Sequence, residues 1–157
     1  MIKFLIWPEK AGHDDLGPVI KFLTRGDGTH AAFLRSNGLI AENFYPHVRQ
    51  REWKPGEPGV VEAYRLRGMT EEGSAKLEAW IDRELKLSIP YSIADLFRYA
   101  LNLPPIVGRG CFCSQWVLRG IKTTQPESIQ PLVRLEYDCF ASPTMLRSSP
   151  ALVRVRA

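Results

Sequence analysis

Apolar residues follow two different rhythms along this chain, and the change falls after Leu66. Before it, Ile2 to Trp7, Val19 to Leu23, His30 to Leu34, Leu39 to Phe44 and Val60 to Leu66 are short apolar runs separated by Gly, Asp, Asn and Pro, the pattern of strands joined by turns. After it, Leu77, Trp80, Ile81 and Leu85 recur at helical spacing behind a capping Thr70, with Glu71 and Glu72 in the first turn. Ser92 and Asp95 open a second such segment through Ile93, Leu96, Phe97, Ala100 and Leu101, which Pro104-Pro105 ends. Leu132 to Leu135 and Leu152 to Val155 read as late strands. Strands first and helices after them predict an α+β fold, an antiparallel sheet packed against helices.

At 157 residues the chain suits a single domain spanning 1–157, with enough length to bury a core unaided. Hydrophobic content of 45% with 24% charged residues excludes a disordered composition. The run from Met1 to Trp7 is broken by Lys3 and stopped by Pro8, too short for a membrane span or a signal sequence, so no transmembrane segment is expected. The net charge of +4 is spread over arginines, among them Arg49, Arg51, Arg65, Arg67, Arg134, Arg147, Arg154 and Arg156. They form no block and are read as solvated surface charges, so no nucleic-acid partner is expected. The three cysteines, Cys111, Cys113 and Cys139, cannot all pair within one chain, which favours a reducing compartment. Their spacing, with three scattered histidines, closes no tetrahedral site, and no metal or other cofactor is expected.

The chemistry-bearing residues are a cysteine and a histidine. Cys113 precedes Val117, Leu118 and Ile121, so it opens an amphipathic helix, whereas Cys111 lies in the approach to it. A helix N-terminus offers unpaired amides and partial positive charge, which favour a thiolate and could cradle an oxyanion. His30 begins an apolar strand, where an inward imidazole is unusual; His13 sits in a polar loop and His47 follows Pro46 in a turn. His30 is therefore the candidate base. The group orienting it depends on the Ser36-Asn37-Gly38 hairpin. A three-residue loop with Gly38 left-handed sets Glu42 beside Ala32 on the face of His30, whereas a two-residue Asn37-Gly38 turn sets Asn43 there.

Five segments in order, Thr29-His30-Ala31-Ala32-Phe33, Ile40-Ala41-Glu42, Pro46-His47-Val48, Ile89-Pro90-Tyr91 and Phe112-Cys113-Ser114-Gln115-Trp116-Val117, with a looser echo around Ser142-Pro143-Thr144, cover most of the chain. In this order the chain resembles the circularly permuted branch of the NlpC/P60 superfamily, the YaeF/YiiX-like proteins related to lecithin retinol acyltransferase. The resemblance implies a permuted papain-like fold and a cysteine hydrolase in which Cys113 is the nucleophile, His30 the base and Glu42 the orienting acid. Tyr91 is a candidate for the substrate pocket or a plain packing residue. Where the family has an acidic residue two places after the cysteine, Gln115 stands here, and Ala31 and Ala32 replace family glycines. The substrate implied is a peptide amide bond, as in cell-wall peptides. A lipid acyl substrate is the alternative, and a non-catalytic phage or prophage assembly or binding protein is the rival from another class. A cytoplasmic or phage-associated location goes with either.

Overall fold

The computed structural model describes residues 1–8, 28–54, 62–101, 103, 110–129 and 142–156. The expected strands at Val19 to Leu23 and Leu132 to Leu135, together with His13, Cys139 and Pro104-Pro105, lie outside the described residues. In chain order the elements are β1 (Lys3–Pro8), β2 (Gly28–Leu34), β3 (Leu39–Phe44), β4 (His47–Glu52), β5 (Glu62–Leu66), α1 (Glu71–Leu87), α2 (Ile93–Ala100), α3 (Cys113–Thr124), a 3-10 turn (Glu127–Ile129), α4 (Pro143–Arg147) and β6 (Leu152–Val155). The architecture is α+β. One six-stranded sheet runs in the order β4-β3-β2-β1-β5-β6, every neighbouring pair antiparallel.

Alternation along the strands divides the sheet into two faces. Phe4, Ile6, Ala31, Phe33, Ala41 and Tyr64 share one buried cluster with Leu77, Trp80 and Ile81 of α1 and Trp116, Val117 and Ile121 of α3. Phe33 sits at its centre, its ring 5.1 Å from Trp116 and 6.4 Å from Trp80. Leu5, Trp7, Ala32, Leu34, Ile40 and Ala63 make a second buried cluster on the other face.

The helices begin where their caps stand. The Thr70 hydroxyl accepts from the Gly73 amide at 3.0 Å, the Ser92 hydroxyl from Asp95 at 3.1 Å and the Ser142 hydroxyl from Met145 at 3.1 Å.

The β2–β3 hairpin sets the register of β3. The Arg35 amide donates to the Leu39 carbonyl and the Gly38 amide to Arg35, with Gly38 at φ +83°, so Ser36-Asn37-Gly38 is a three-residue loop closed by a left-handed glycine. Glu42 consequently pairs with Ala32. A short turn at Tyr45-Pro46, whose peptide bond is cis, then starts β4. This strand corrects the expectation that His47 belongs to a turn. It carries a single aliphatic residue, Val48, and lies at the edge of the sheet, so no run of apolar residues marks it.

Candidate active site

The start of β2, the end of β3 and the N-terminus of α3 meet at one end of the sheet. His30, third in β2, is buried, with its ring 5.1 Å from that of Trp7 and 5.8 Å, edge-on, from that of Phe44. Its Nε2 lies 3.0 Å from Glu42 Oε2. The His30 side chain also hydrogen-bonds Cys113, the first residue of α3. With Nε2 committed to Glu42, Nδ1 is the ring nitrogen left for the thiol. Cys113, His30 and Glu42 are therefore in one line of contacts, assembled from three elements.

Glu42 is only 1% exposed, and a buried carboxylate requires compensation. It has three cationic neighbours. His30 holds Oε2, while Oε1 accepts from Arg49 Nε and Nη2, both at 2.9 Å, and from Arg51 Nε at 3.0 Å. Burial alone would raise the Glu42 pKa; the hydrogen bond and charge of His30, then the charges of Arg51 and Arg49, overcome it and hold the acid down to about 2. Burial likewise opposes a charged imidazole, but the hydrogen bonds of Cys113 and Glu42 and then their charges outweigh it and carry His30 up to about 10. Both hydrogen-bond partners favour the charged form of the ring.

The expectation of solvated arginines is corrected here. Arg49 and Arg51 bind buried Glu42, while Arg147 and Arg154 bind buried Glu62 at 2.9 and 3.2 Å. The arginine pair on Glu42 escapes sequence reasoning because β4 does. The available signal is the spacing Arg49-x-Arg51 directly after a turn, which in a two-stranded register faces Glu42.

Asn43 does not reach the imidazole. Its Nδ2 donates to the Cys111 carbonyl at 2.6 Å and to Cys111 Sγ at 3.3 Å, so it ties the approach to α3 onto the end of β3. Burial pushes the Cys111 thiol up to about 11, the Arg119 charge and the Asn43 hydrogen bond offsetting it only in part. Tyr91 is buried in a small cluster with Leu96, Phe112 and Cys113, and bridges to Cys111. Gln115, standing where the resemblance has an acid, accepts the Phe112 amide at 3.1 Å, which satisfies an orphan donor at the helix start without adding a charge beside the thiol.

Among the described residues no group of His, Cys, Asp and Glu is placed to hold a metal ion, and no helix is long and apolar enough to cross a membrane. No family model matches the chain, and no curated protein sequence does.

Proposed function

We propose that the protein is a thiol-dependent hydrolase of the circularly permuted, papain-like NlpC/P60 type, acting on peptide or isopeptide amide bonds through Cys113, His30 and Glu42. The observation that supports this reading is the imidazole of His30, hydrogen-bonded on one side to Cys113 and on the other to a buried carboxylate. A buried carboxylate with that many cations around it exceeds what packing needs, and it holds the imidazole oriented beside the thiol.

In this reading the Cys113 sulfur, deprotonated by His30, attacks the substrate carbonyl carbon. The resulting oxyanion is met by the Cys113 amide, which as a first-turn group has no intrahelical acceptor. His30 returns its proton to the leaving amine as the C–N bond breaks, leaving a thioacyl enzyme. Water then attacks the thioester carbonyl as His30 takes its proton; the acid departs and the thiol is restored. Glu42 stays ionised throughout and holds the ring, and Tyr91 packs in the same buried cluster as Cys113.

A lipid acyl substrate is the second reading. It is favoured by Phe97 (50% exposed), Leu101 (67%) and Leu103 (41%), which are exposed along and just beyond α2 while Leu96 of that helix packs with Cys113.

Mass spectrometry of the protein after incubation with a p-nitrophenyl ester tests the chemistry. The wild type should release a burst near one equivalent of p-nitrophenol and carry the acyl group on the Cys113 peptide, and Cys113→Ala should do neither. Amide peptides and micellar lipid esters, compared in the same assay, separate the two substrate classes. Absence of any acyl adduct would leave the non-catalytic assembly reading in possession.

A further inference from the structure

The helix that opens on Cys113 has a side chain folded back over its first turn. The α3 ladder starts with the Trp116 amide on the Phe112 carbonyl at 3.0 Å, so the Cys113 amide lies ahead of it and has no intrahelical acceptor. Gln115 reaches back across that turn, and its Oε1 accepts the Phe112 amide at 3.1 Å. This bond fixes which way the carboxamide faces. The oxygen is committed to the residue before Cys113, and Nε2 is the other end of the same planar group. Gln115 is 2% exposed, and among the described residues Nε2 has no acceptor.

A pair of N–H donors carried on a nearly buried side chain with nothing to bond is unfavourable, and capping does not require it. A glutamate would accept the same Phe112 amide. It would also suit the positive end of the helix, where α3 has no acidic residue in its first turn. Gln115 therefore departs from what local helix stability favours, and what it adds over a glutamate is the donor pair. The proposed reaction has a use for such a donor. Attack of the sulfur on a carbonyl moves the C=O electron pair onto oxygen, and the Cys113 amide alone has so far been available to meet that charge.

We infer that Gln115 Nε2 is the second donor to the oxyanion, so that the hole is formed by the Cys113 amide and the Gln115 side chain within one helical turn. This rests on Cys113 being the nucleophile. It is particular to this chain, because the acid that the resemblance places two residues after the cysteine could accept from Phe112 but could not donate to an oxyanion.

Two reactions at the same sulfur separate the donor from the cap. p-Nitrophenyl acetate acylates Cys113 through an oxyanion, with p-nitrophenolate leaving, whereas iodoacetamide alkylates it by displacing iodide, with no charge developing on a carbonyl oxygen. Both consume the same thiolate. The ratio of the acylation to the alkylation rate constant, measured by burst kinetics and by mass spectrometry on the intact chain, therefore cancels changes in the thiol and reads the oxyanion interaction. In Gln115→Met, similar in length but without a donor, the ratio should fall about a hundredfold. In Gln115→Glu, which keeps an acceptor for the Phe112 amide and so preserves the helix start if Gln115→Met disturbs it, the ratio should fall at least as far. A ratio within about threefold of the wild type in Gln115→Glu, or acylation and alkylation slowed in parallel in Gln115→Met, overturns the inference and leaves Gln115 a cap. Alkylation without any acyl adduct in the wild type sinks the hydrolase reading itself, and the inference with it.

Discussion

His30 and Glu42 are twelve residues apart in the chain and 3.0 Å apart through Nε2 and Oε2, and a single glycine sets that distance. Gly38 at φ +83° closes a three-residue loop, so Glu42 falls opposite Ala32 and one pleat along from His30. A two-residue turn would have slipped the register by one and turned Asn43 to the imidazole. As it is, Asn43 holds the Cys111 carbonyl, and the two neighbours in β3 serve opposite sides of the sheet: one orients the candidate base, the other anchors the segment that delivers Cys113.

The pair gives stability a defined pH window. Glu42 is lowered from an ordinary 4.5 to about 2, so its contribution is complete above about 4.5 and is lost as pH falls toward 2. His30 is raised from 6.5 to about 10, so its contribution is complete below 6.5 and is lost as pH rises through 10. Urea midpoints measured from acid to alkaline pH should plateau between these limits. Glu42→Gln should be less stable by about 2 to 3 kcal/mol on the plateau, with the acid limb removed and the alkaline limb flattened. Parallel curves for wild type and variant would mean that the ion pair carries no linkage.

Orientation by Glu42 rather than Asn43 is separable by NMR. In the wild type the His30 Cε1–H resonance should keep its imidazolium position well above pH 8. Glu42→Gln should bring the midpoint down by a unit or more, about 1.4 kcal/mol or more of differential stabilisation. Asn43→Ala should leave the midpoint in place and instead cost about 1 to 3 kcal/mol of stability, through the freed Cys111 carbonyl. A midpoint that moves with Asn43 and not with Glu42 would reverse the assignment.

The features legible in the sequence are those set by local rules. Thr70, Ser92 and Cys113 each stand immediately before or at the start of a helix because capping and apolar spacing are short-range, and the Ser36-Asn37-Gly38 loop offers only two registers. The β4 strand is hidden for a physical reason. An edge strand with one face to solvent needs few apolar residues, and Val48 is its sole aliphatic side chain. With β4 hidden, Arg49 and Arg51 pass for surface charge, although Glu42, the carboxylate they bind, is itself in plain view on β3.

Gly120 sits in the middle of α3, where alanine ordinarily stabilises a helix by about 1 kcal/mol. Here an added Cβ would stand 2.7 Å from Trp80 Cζ3 and 3.1 Å from Phe33 Cζ. Neither ring can retreat easily, since both belong to the packed aromatic cluster with Trp116. Gly120→Ala should therefore destabilise by about 1 to 3 kcal/mol on thermal unfolding, the overpacking exceeding the helix propensity gain. A higher melting temperature would show that α3 can shift away from α1.

Cys113 and Cys111 are two residues apart, buried alike, and should nevertheless react very differently. Burial pushes Cys111 up to about 11, so near neutral pH it is a thiol, and its sulfur is engaged by Asn43. Cys113 is in hydrogen-bond contact with His30, the candidate base, and opens α3. Iodoacetamide at pH 7 should label Cys113 at least about tenfold faster than Cys111. His30→Ala should remove most of that advantage and leave Cys111 labelling unchanged, because His30 touches only one of the two thiols. Labelling of Cys113 that is no faster than that of Cys111, or is indifferent to His30→Ala, would mean that the contact is packing and that no activated nucleophile exists.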